Sequence, residues 1–466
     1  MVTVHPKPII ALTAVLLSTL SLSLTVAAAS VALPSIATDL HAGLADTQWI
    51  VNGYIATFAS FMLATGSLAD RIGRRRVFAT GVAVFAVTGV LSAAAWDVVL
   101  LDVLRILAGI GGAAAASSGA AILASAFDGP ARIRAFGMLG TTLGIGLSFG
   151  PTVAGLLIDW LGWRAVFGAP AIAVLVVLCL VPMLPESRAP GSRTVDWAGT
   201  ASFTLSLLLL VFAFIEGPEL GWSSAITLTA FIGSVVLLAV FVAVERRQQD
   251  PMFDLSLLAN PRFIGLSLAA AVIVSIPFPL VVYLPAYFTN VIGMSPGAAG
   301  TTLLLLTGLV LILPMLGSVI TKWITPTAVV VLAVGLVGIG AGWLTVLEPS
   351  ASLTTLAGPL LTIGLGFGVA TGLVDGVTIS SVHPDHAGTA AGMFNTVRLA
   401  IETIAIAVVG AVLAGSTGGR LAEPGFTSGL HTALWWMAGI AVLLAIMLAR
   451  TLLRKDARTK GLAVAP

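Results

Sequence analysis

Four charged residues lie inside long apolar stretches of this sequence: Arg105, Asp375, Arg398 and Glu402. Each such charge costs about 2.5 to 3.5 kcal/mol to place at the centre of a membrane helix, so we treat it as a functional candidate by default. A carboxyl group in apolar surroundings can take up a proton on one side of a barrier and release it on the other. Glu402 and Asp375 are therefore candidates for proton exchange, and the Arg398 guanidinium would control how easily either ionises.

Arg398 and Glu402 are four residues apart, so on a helix they share one face. In one interpretation they form a self-satisfied ion pair, which lowers the cost of burial and only joins helices. In the other interpretation Glu402 or Asp375 titrates. Arg105 has a similar neighbour, Asp102, three residues earlier on the same face. Asp102 is either the counter-charge of Arg105 or a solvated cap near the end of its helix.

The elements that carry these residues must lie in a membrane. The chain of 466 residues is 58% hydrophobic and 9% charged, whereas ordinary soluble domains contain about 25% charged residues. Its mean hydropathy is +1.08. Fourteen apolar segments, most of about 20 residues or more, are long enough to cross the hydrocarbon core as helices. They are continuously apolar instead of alternating, which argues against a β-barrel. The segments begin near Ile9, Asp46, Val77, Val98, Ala131, Ala165, Val195, Ala225, Phe263, Gly297, Pro326, Leu353, Ala387 and Ser428.

The basic residues separate to one side when the N-terminus is placed in the cytoplasm. Eighteen of the 22 lysines and arginines then fall in cytoplasmic loops or tails, as the positive-inside rule requires. Because fourteen is an even number, both termini lie on this side. The net charge of +2 conceals this asymmetry and does not indicate nucleic-acid binding.

An internal repeat divides the chain into two similar halves. The stretches from Phe136 and Ala391 align without gaps, and identical residues recur in them at the same spacing. We therefore predict two pseudo-symmetric six-helix bundles, at about residues 1–185 and 253–466, as in other membrane proteins built from repeats. Two extra linking helices lie within residues 186–252. The predicted fold class is an all-α membrane protein with 14 transmembrane helices.

The loop after the second segment has the pattern G-x-L-A-D-R-x-G-R-R-R. It contains Gly66, Asp70, Arg71, Gly73, Arg74 and Arg75. A run of charges that only determined topology would not need Asp70 or Gly73 in these places. The pattern resembles the signature between helices 2 and 3 of the major facilitator superfamily, which are secondary transporters.

Further motifs extend the resemblance over nearly the whole chain. They include the Ala-Leu-Pro end of helix 1, Arg105 with Gly109 in helix 4, and Gly221 with Trp222 between the extra helices. In this order they resemble the fourteen-helix drug:proton antiporter branch of the superfamily. The resemblance implies proton-coupled export of hydrophobic, in part cationic, drugs or toxic compounds by alternating access.

The resemblance also implies roles for two motifs. Asp70 would bind the positive N-terminal end of a helix near Ala387 and hold the cytoplasmic gate shut. Helix 5 carries the antiporter signature at Gly146, Gly150, Pro151 and Gly155. In the family this strip seals the two bundles while they rock. Glycines four apart also form a flat strip for close helix approach, and Pro151 permits a bend, so tight packing alone explains the motif equally well.

The chain departs from the family at two positions. Relatives carry an Asp in helix 1, nine residues before the Pro of the Ala-Leu-Pro motif, where this chain has Thr25. The glutamine before the helix 4 glycine is replaced by Ala108. Because the helix 1 acid is missing, the resemblance does not identify the residue that couples protons.

Polar and aromatic residues within the segments are candidates for lining a substrate cavity. These candidates are Thr25, Asn52, Tyr54, Phe278, Tyr283, Tyr287, Asn290 and Asn395. Pro277 and Pro279 interrupt the ninth segment and would help to shape such a cavity.

Other classes of function find little support in the residue pattern. The sequence has no phosphate-binding loop for an ATP-driven pump, and its five histidines and one cysteine form no constellation for an enzyme. His383 and His386, with Pro and Asp between them, indicate a cytoplasmic turn and not a metal site. We expect no cofactor and no metal, and as partners a small hydrophobic substrate, protons and the lipid bilayer.

The predicted location is the bacterial cytoplasmic (inner) membrane, and we expect a monomer. Two other functions stay open. The chain could export one endogenous metabolite or lipid, which the altered helix 1 favours, or it could be a non-transporting receptor that keeps a transporter fold.

Overall fold

The structure is a computed structural model, which describes residues 6–188, 195–248, 251, 253–383, 387–419 and 425–453. Every regular element within these ranges is helical, so the predicted all-α fold class is confirmed. The helices are α1 Pro6–Asp39, α2 Leu44–Ile72, α3 Arg74–Ala93, α4 Val98–Ala126, α5 Gly129–Leu161, α6 Arg164–Leu180, α7 Trp197–Leu220, α8 Ala225–Glu245, α9 Pro261–Ser275, α10 Pro277–Asn290, α11 Pro296–Thr302, α12 Leu304–Thr307, α13 Leu309–Ile320, α14 Pro326–Trp343, α15 Leu353–Ala370, α16 Leu373–Ile379, α17 Ala387–Thr417 and α18 Gly425–Leu448.

These helices form fourteen segments of membrane-spanning length. The pairs α9–α10 and α15–α16 and the run α11–α13 are each one interrupted segment. Thirteen segments within the described ranges are both long and apolar enough to cross a membrane. The fourteenth is α2, whose 29 residues extend about 43 Å but include polar side chains such as Gln48 and Asn52.

The ninth segment is broken where its prolines predict. α9 ends at Ser275 and α10 begins at Pro277. Pro277 and Pro279 have no backbone N–H, so neither can donate a helical hydrogen bond across the break.

The extra pair, α7 and α8, is attached to the rest through α7. α7 packs against α8 and also against α2 and α17. The rings of Phe203, Phe241 and Phe253 lie 5.3 to 5.8 Å apart at one end of this pair. At the other end, the indole N–H of Trp49 donates to Glu216 at 3.1 Å. α7 therefore contacts helices of both predicted halves.

The two predicted halves meet mainly where α1 packs against α10, α2 against α17, and α5 against α11. α5 also contacts α12 and α13, and α1 also contacts α11. α2 and α17 run antiparallel to each other. Gln48 of α2 lies against Gly410, near the predicted outer end, and Leu63 lies against Gly392, nearer the predicted cytoplasmic end.

α5 is held tightly to the opposite half near the predicted outer end. The hydroxyls of Ser148 and Thr307 each donate to the backbone carbonyl of the other residue, at 2.8 and 2.9 Å. Closer to the end, a side chain at Gly155 would collide with the backbone of α11. There the N–H of Gly297 also donates to the Asp159 carboxylate at 3.1 Å. These helices are therefore in close contact toward the predicted outer end.

The contact of α5 with the opposite half ends toward the predicted cytoplasmic side. A Cβ on Gly144 would lie 3.9 Å from Leu311, whereas Gly140 and Gly137 have no atom within 4 Å of the equivalent position. Met138, on the same stretch, is exposed. Among the described residues, α5 therefore contacts the opposite half toward the predicted outer end, and Gly137 and Gly140, toward the predicted cytoplasmic end, make no close contact.

Candidate functional site

A cavity lies between the two halves at the middle of the bundle. About 490 Å³ of space between its side chains is not filled by atoms, a volume that includes open solvent. Its wall consists of Val26, Ala27, Val51, Ile55, Leu147, Pro277, Phe278, Val281, Val282, Thr307, Val310, Phe367 and Ile406. Thr307 is the only residue of this wall with a polar side chain. Such a wall binds a hydrophobic or aromatic group by removing its surface from water, and it offers no charge to a ligand.

α17 continues this cavity with charged and polar side chains. Asn395, Arg398, Glu402 and Ile406 recur at spacings of three and four residues, so they lie on one face of the helix. Ile406 is part of the cavity wall. The rise of 1.5 Å per residue places Glu402 about 6 Å and Arg398 about 12 Å along the helix from Ile406. The charged residues therefore lie between the cavity and the predicted cytoplasmic end.

Arg398 forms its salt bridge with Asp375. Of the two interpretations, the self-satisfied Arg398–Glu402 pair is therefore not observed, although the two charges still interact electrostatically. Nη1 of Arg398 donates to both carboxylate oxygens of Asp375, at 3.1 and 3.2 Å, and Nη2 donates to Oδ1 of Asn395 at 2.9 Å. Side chains on a helix lean toward its N-terminus. The guanidinium consequently points to Asn395, one turn earlier, and away from Glu402, one turn later. The pair is partly open to water, with 28% of the Arg398 and 31% of the Asp375 side chain exposed.

Asp375 reaches Arg398 because the segment of α15 and α16 is broken beside it. Gly372, between the two helices, has a φ of +78°, a conformation that favours glycine. Asp375 then falls in the first turn of α16, where a carboxylate is favourable near the helix N-terminus. The break thus positions the acid opposite α17.

Glu402 has the opposite environment. Its side chain is 3% exposed, and no residue in the described part of the chain forms a hydrogen bond or ion pair with its carboxyl group. A charge at such a position is costly unless a proton neutralises it or a ligand of opposite charge approaches. A carboxyl group in this environment is chemically suited to binding either a proton or a cationic group.

Arg105 is buried among aromatic rings. Its Nε donates to the backbone carbonyl of Ile50 at 3.1 Å. The guanidinium carbon lies 4.3 Å from the centre of the Tyr54 ring and 5.3 Å from that of Phe167. A guanidinium over aromatic rings gains a favourable cation–π interaction, which is stronger when the group is desolvated.

Asp102 interacts electrostatically with Arg105, as expected of a counter-charge, but within the described chain it forms no direct contact with it and does not cap α4. No ion pair joins it to Arg105 among the described residues, because the guanidinium is turned toward α2 and Tyr54. The cap of α4 is Asp97, which accepts from the backbone N–H groups of Val99 and Leu100. One carboxylate oxygen of Asp102 is buried without a hydrogen-bond partner in the described chain.

The loop between α2 and α3 is organised by two acidic residues. Asp70 binds Arg74, four residues later, at 2.8 Å. Glu186, which the sequence analysis did not identify, lies 3.6 Å from Arg75 and 3.8 Å from Arg76. The acid that follows α6 therefore holds the start of α3.

The glycine of this loop is required by its backbone. Gly73 has a φ of +122°, and a side chain there would also collide with Glu186. Gly66 faces Ser117 of α4, and Arg71 is exposed. In this conformation Asp70 is bound to Arg74, and residues 384–386 before α17 lie outside the described chain. The latch between Asp70 and α17 stays a prediction.

The glycine strip of α5 serves two different contacts. Gly146 and Gly150 pack against α1, where an added Cβ would collide with Ser23 and Ala27. Gly155 and the carbonyl of Pro151 instead contact α11 across the boundary between the halves. The first two positions therefore stabilise one half, and the last two close the outer end.

Of the residues predicted to line a substrate cavity, only Phe278 is part of the wall. The polar candidates lie around the wall. Thr25 is buried and its hydroxyl donates to the carbonyl of Ser21 within α1. The hydroxyl of Tyr287 shares a hydrogen bond with Thr427 nearer the outer end. Tyr54 packs on Arg105 inside the first half.

Two other candidates are closer to the cavity. The hydroxyl of Tyr283 donates to the carbonyl of Ile406 at 2.9 Å, so it supports the wall from behind. Asn52 is completely buried beside Val51. Apart from Thr307 and Phe367, the wall residues that the sequence does not single out are aliphatic, and no pattern distinguishes them from the other aliphatic residues of the same helices.

The family model of the Major Facilitator Superfamily matches residues 15–405. This chain belongs to the Major Facilitator Superfamily. Its curated relatives include "Multidrug resistance protein Stp" of Mycobacterium tuberculosis, which is 32% identical over 397 residues, 83% of this chain and 72% of that protein. "Tetracenomycin C resistance and export protein" of Streptomyces glaucescens is 31% identical over 422 residues, 89% of this chain and 77% of that protein.

Solved structures of transporters share the fold of this superfamily member. A bacterial homologue of the human lysosomal transporter Spinster, in an inward-facing and unoccupied conformation, has a TM-score of 0.70 at 19% identity and covers 97% of this chain and 98% of its own. A peptide transporter, POT, in complex with sulfate has a TM-score of 0.72 at 16% identity and covers 97% and 96%. The relatives and the fold are those of multi-pass membrane transporters, which are not enzymes.

Proposed function

We propose that this chain is a proton-coupled exporter of hydrophobic, in part cationic, drugs or toxic compounds, and that it works by alternating access. The observation that carries the proposal is the apolar cavity between the halves, which Glu402 and the Arg398–Asp375 pair continue toward the predicted cytoplasmic end. Relatives named for multidrug resistance and for resistance and export support the substrate class.

Glu402 is the proposed coupling residue. It is buried, has no partner among the described residues, and lies one helical turn from the cavity wall. A single carboxyl group cannot hold a proton and a cationic substrate together, so each would displace the other. This competition couples export of the substrate to entry of a proton, provided that Glu402 is exposed to each side of the membrane in turn.

The orientation and the domain boundaries belong to the same proposal. Both termini lie in the cytoplasm, in the cytoplasmic membrane of a bacterium, and the chain acts as a monomer. Residues 1–185 and 253–466 are the two halves that rock about the cavity, and residues 186–252 contribute the extra pair. Tight contact at the outer end and separation along α5 at the cytoplasmic end correspond to the state that accepts a substrate from inside.

Gradient-driven efflux tests this proposal directly. The purified protein in proteoliposomes, with an imposed pH gradient, should move ethidium against its concentration gradient, and ethidium added alone should drive proton flux in the opposite direction. An ethidium flux that does not depend on the pH gradient would contradict coupling to protons. Saturable ethidium binding without any flux would favour the receptor alternative.

A second candidate is export of one compound that the cell itself makes. It is favoured by Thr25, which is hydrogen-bonded within its own helix and supplies no acid where drug antiporters of this branch carry one. Deletion of the gene in its host would then raise the intracellular level of a single compound and leave sensitivity to dyes unchanged. Broad sensitisation to dyes would instead support the drug exporter.

A further inference from the structure

Two buried amide side chains of α2 have no hydrogen-bond partner in the described part of the chain. Gln48 is 1% and Asn52 0% exposed, and neither the oxygen nor the nitrogen of either amide is bonded. Buried polar groups in native proteins are nearly always hydrogen-bonded, so a pair of unbonded amides requires a physical explanation. Both groups are neutral, and each can donate and accept.

The two amides lie beside the central cavity, on its outer side. Gln48 and Asn52 share a face of α2 with Val51 and Ile55, and the latter two are in the cavity wall. Gln48 is one turn beyond Val51 toward the outer end. The amides thus lie buried next to the cavity wall, on the side opposite to Glu402.

The register between α2 and α17 gives the same placement. Gln48 lies against Gly410 and Leu63 against Gly392, so Asn52 is level with residues 404–406 of the antiparallel helix. Ile406, at this level, is in the cavity wall. Asn52 is therefore at the height of the wall and Gln48 is one turn above it.

Gly410 leaves the room that the Gln48 amide occupies. A Cβ at Gly410 would collide with both Oε1 of Gln48 and the hydroxyl of Tyr283. The Tyr283 hydrogen is already donated to the Ile406 carbonyl. The small residue on α17 thus keeps two polar atoms together at the roof of an otherwise apolar cavity.

We propose that Gln48 and Asn52 form a neutral hydrogen-bonding subsite for the substrate. It binds a carbonyl, hydroxyl or amino group while the apolar body of the substrate fills the cavity and any cationic group faces Glu402. The substrate class is then amphipathic molecules whose ring system carries a hydrogen-bonding group at the end remote from the charge. This inference rests on the proposed export function and adds a determinant of specificity to it.

The test compares two lipophilic cations that differ in hydrogen bonding. Ethidium carries two aromatic amino groups, and tetraphenylphosphonium has no hydrogen-bonding group. Transport of both is measured in proteoliposomes for the wild type, Gln48→Leu and Asn52→Leu. The matched control is Ser60→Ala, also buried on α2, because its hydroxyl is satisfied by the carbonyl of Ala56.

If the two amides form a hydrogen-bonding subsite, the leucine variants should lose affinity for ethidium and not for tetraphenylphosphonium. KM for ethidium should rise about 3- to 10-fold in each leucine variant, which corresponds to one lost hydrogen bond of ordinary strength. KM for tetraphenylphosphonium should stay within about 2-fold, and Ser60→Ala should change neither value. Asn52→Ser, which keeps a donor and an acceptor, should recover part of the ethidium affinity.

Thermal stability separates binding from a structural role. Leucine in place of an unbonded amide should leave Tm unchanged or raise it, because no internal hydrogen bond is lost. A fall in Tm together with equal loss of both substrates would assign the amides to packing or gating and overturn the subsite. Unchanged ethidium kinetics in both leucine variants would also overturn it while leaving the export function intact. A wild type that transports neither cation would overturn the export function and the subsite with it.

Discussion

At the scale of single residues, Arg398 shows why a helical spacing does not by itself identify an ion pair. Glu402 is the neighbour expected from spacing, but the direction in which helical side chains lean favours Asn395, one turn earlier. Asp375 completes the contact from α16, 23 residues away in the chain. The sequence identifies both Asp375 and Glu402 as acids that Arg398 would influence, but it does not indicate which of the two the guanidinium contacts. The consequence of this contact is functional, since Glu402 is left with no partner among the described residues.

Glu402→Gln should abolish export driven by a pH gradient, because the amide cannot release a proton. Ethidium efflux in proteoliposomes should fall to the level of empty vesicles, because a glutamine side chain does not titrate. Downhill exchange of ethidium should persist. Glu348→Gln, in an exposed loop, is the matched control and should keep full activity. Gradient-driven export by Glu402→Gln would remove this residue from the mechanism.

The partner of Arg398 can be tested by a double-mutant cycle. Asp375→Asn and Arg398→Gln should each destabilise the protein, since each leaves one partly buried charge without its partner, and the double variant should lose less than the sum. The coupling should be about 1 kcal/mol, a modest value because the pair is partly exposed to water. Unfolding in detergent measures it. A larger coupling between Arg398→Gln and Glu402→Gln would contradict the observed pairing.

At the scale of helices, most of the architecture is predictable from the sequence. All fourteen predicted starts lie within three residues of a helix start, because the change from polar loop to apolar segment is imposed by the membrane and not by a particular neighbour. The break at Pro277 follows from the missing N–H. The partners of α5 are not predictable in this way. A strip of glycines indicates that another helix packs closely against it. Which helix this is depends on the tertiary fold.

The contact between α5 and α11 makes a prediction that distinguishes two glycines of one helix. Gly155→Ala should lower Tm by several degrees, because the new methyl group would collide with the α11 backbone and overpacking costs about 1 to 3 kcal/mol. Gly140→Ala should leave Tm unchanged or raise it, because no atom lies within 4 Å of the new Cβ and alanine favours the helix by up to about 1 kcal/mol. Equal effects at the two positions would contradict the closed outer and separated inner ends of α5.

At the scale of the whole molecule, the candidate site forms only where the two predicted halves pack together. Residues from both predicted halves form the cavity wall, and their aliphatic side chains are typical of any buried membrane helix. The charged residues could be found from the sequence because charge is rare in such segments. Most residues of the apolar wall could not be found from the sequence. They are those on the helix faces that remain unpacked after the two halves meet.

The sidedness of the molecule can be measured with two tryptophans of equal exposure. Trp160, at the predicted outer end of α5, is 76% exposed, and Trp323, after α13, is 77% exposed. In a background where the exposed Cys179 is replaced by serine, Trp160→Cys should react with a membrane-impermeant maleimide on intact cells. Trp323→Cys, beside Lys322, should react only in inverted vesicles, because basic loops stay in the cytoplasm.

The pair tests the number of membrane crossings as well as the orientation. Five segments separate the two positions, an odd number, so the two cysteines must react from opposite sides. Reaction of both from the same side would show that one of the intervening segments does not cross. Reaction from opposite sides in the reverse sense would keep the fold but invert it in the membrane, and the open end of the cavity would then face outward. Export from the cytoplasm in the state described by this structure therefore requires Trp160→Cys to be the variant labelled from outside.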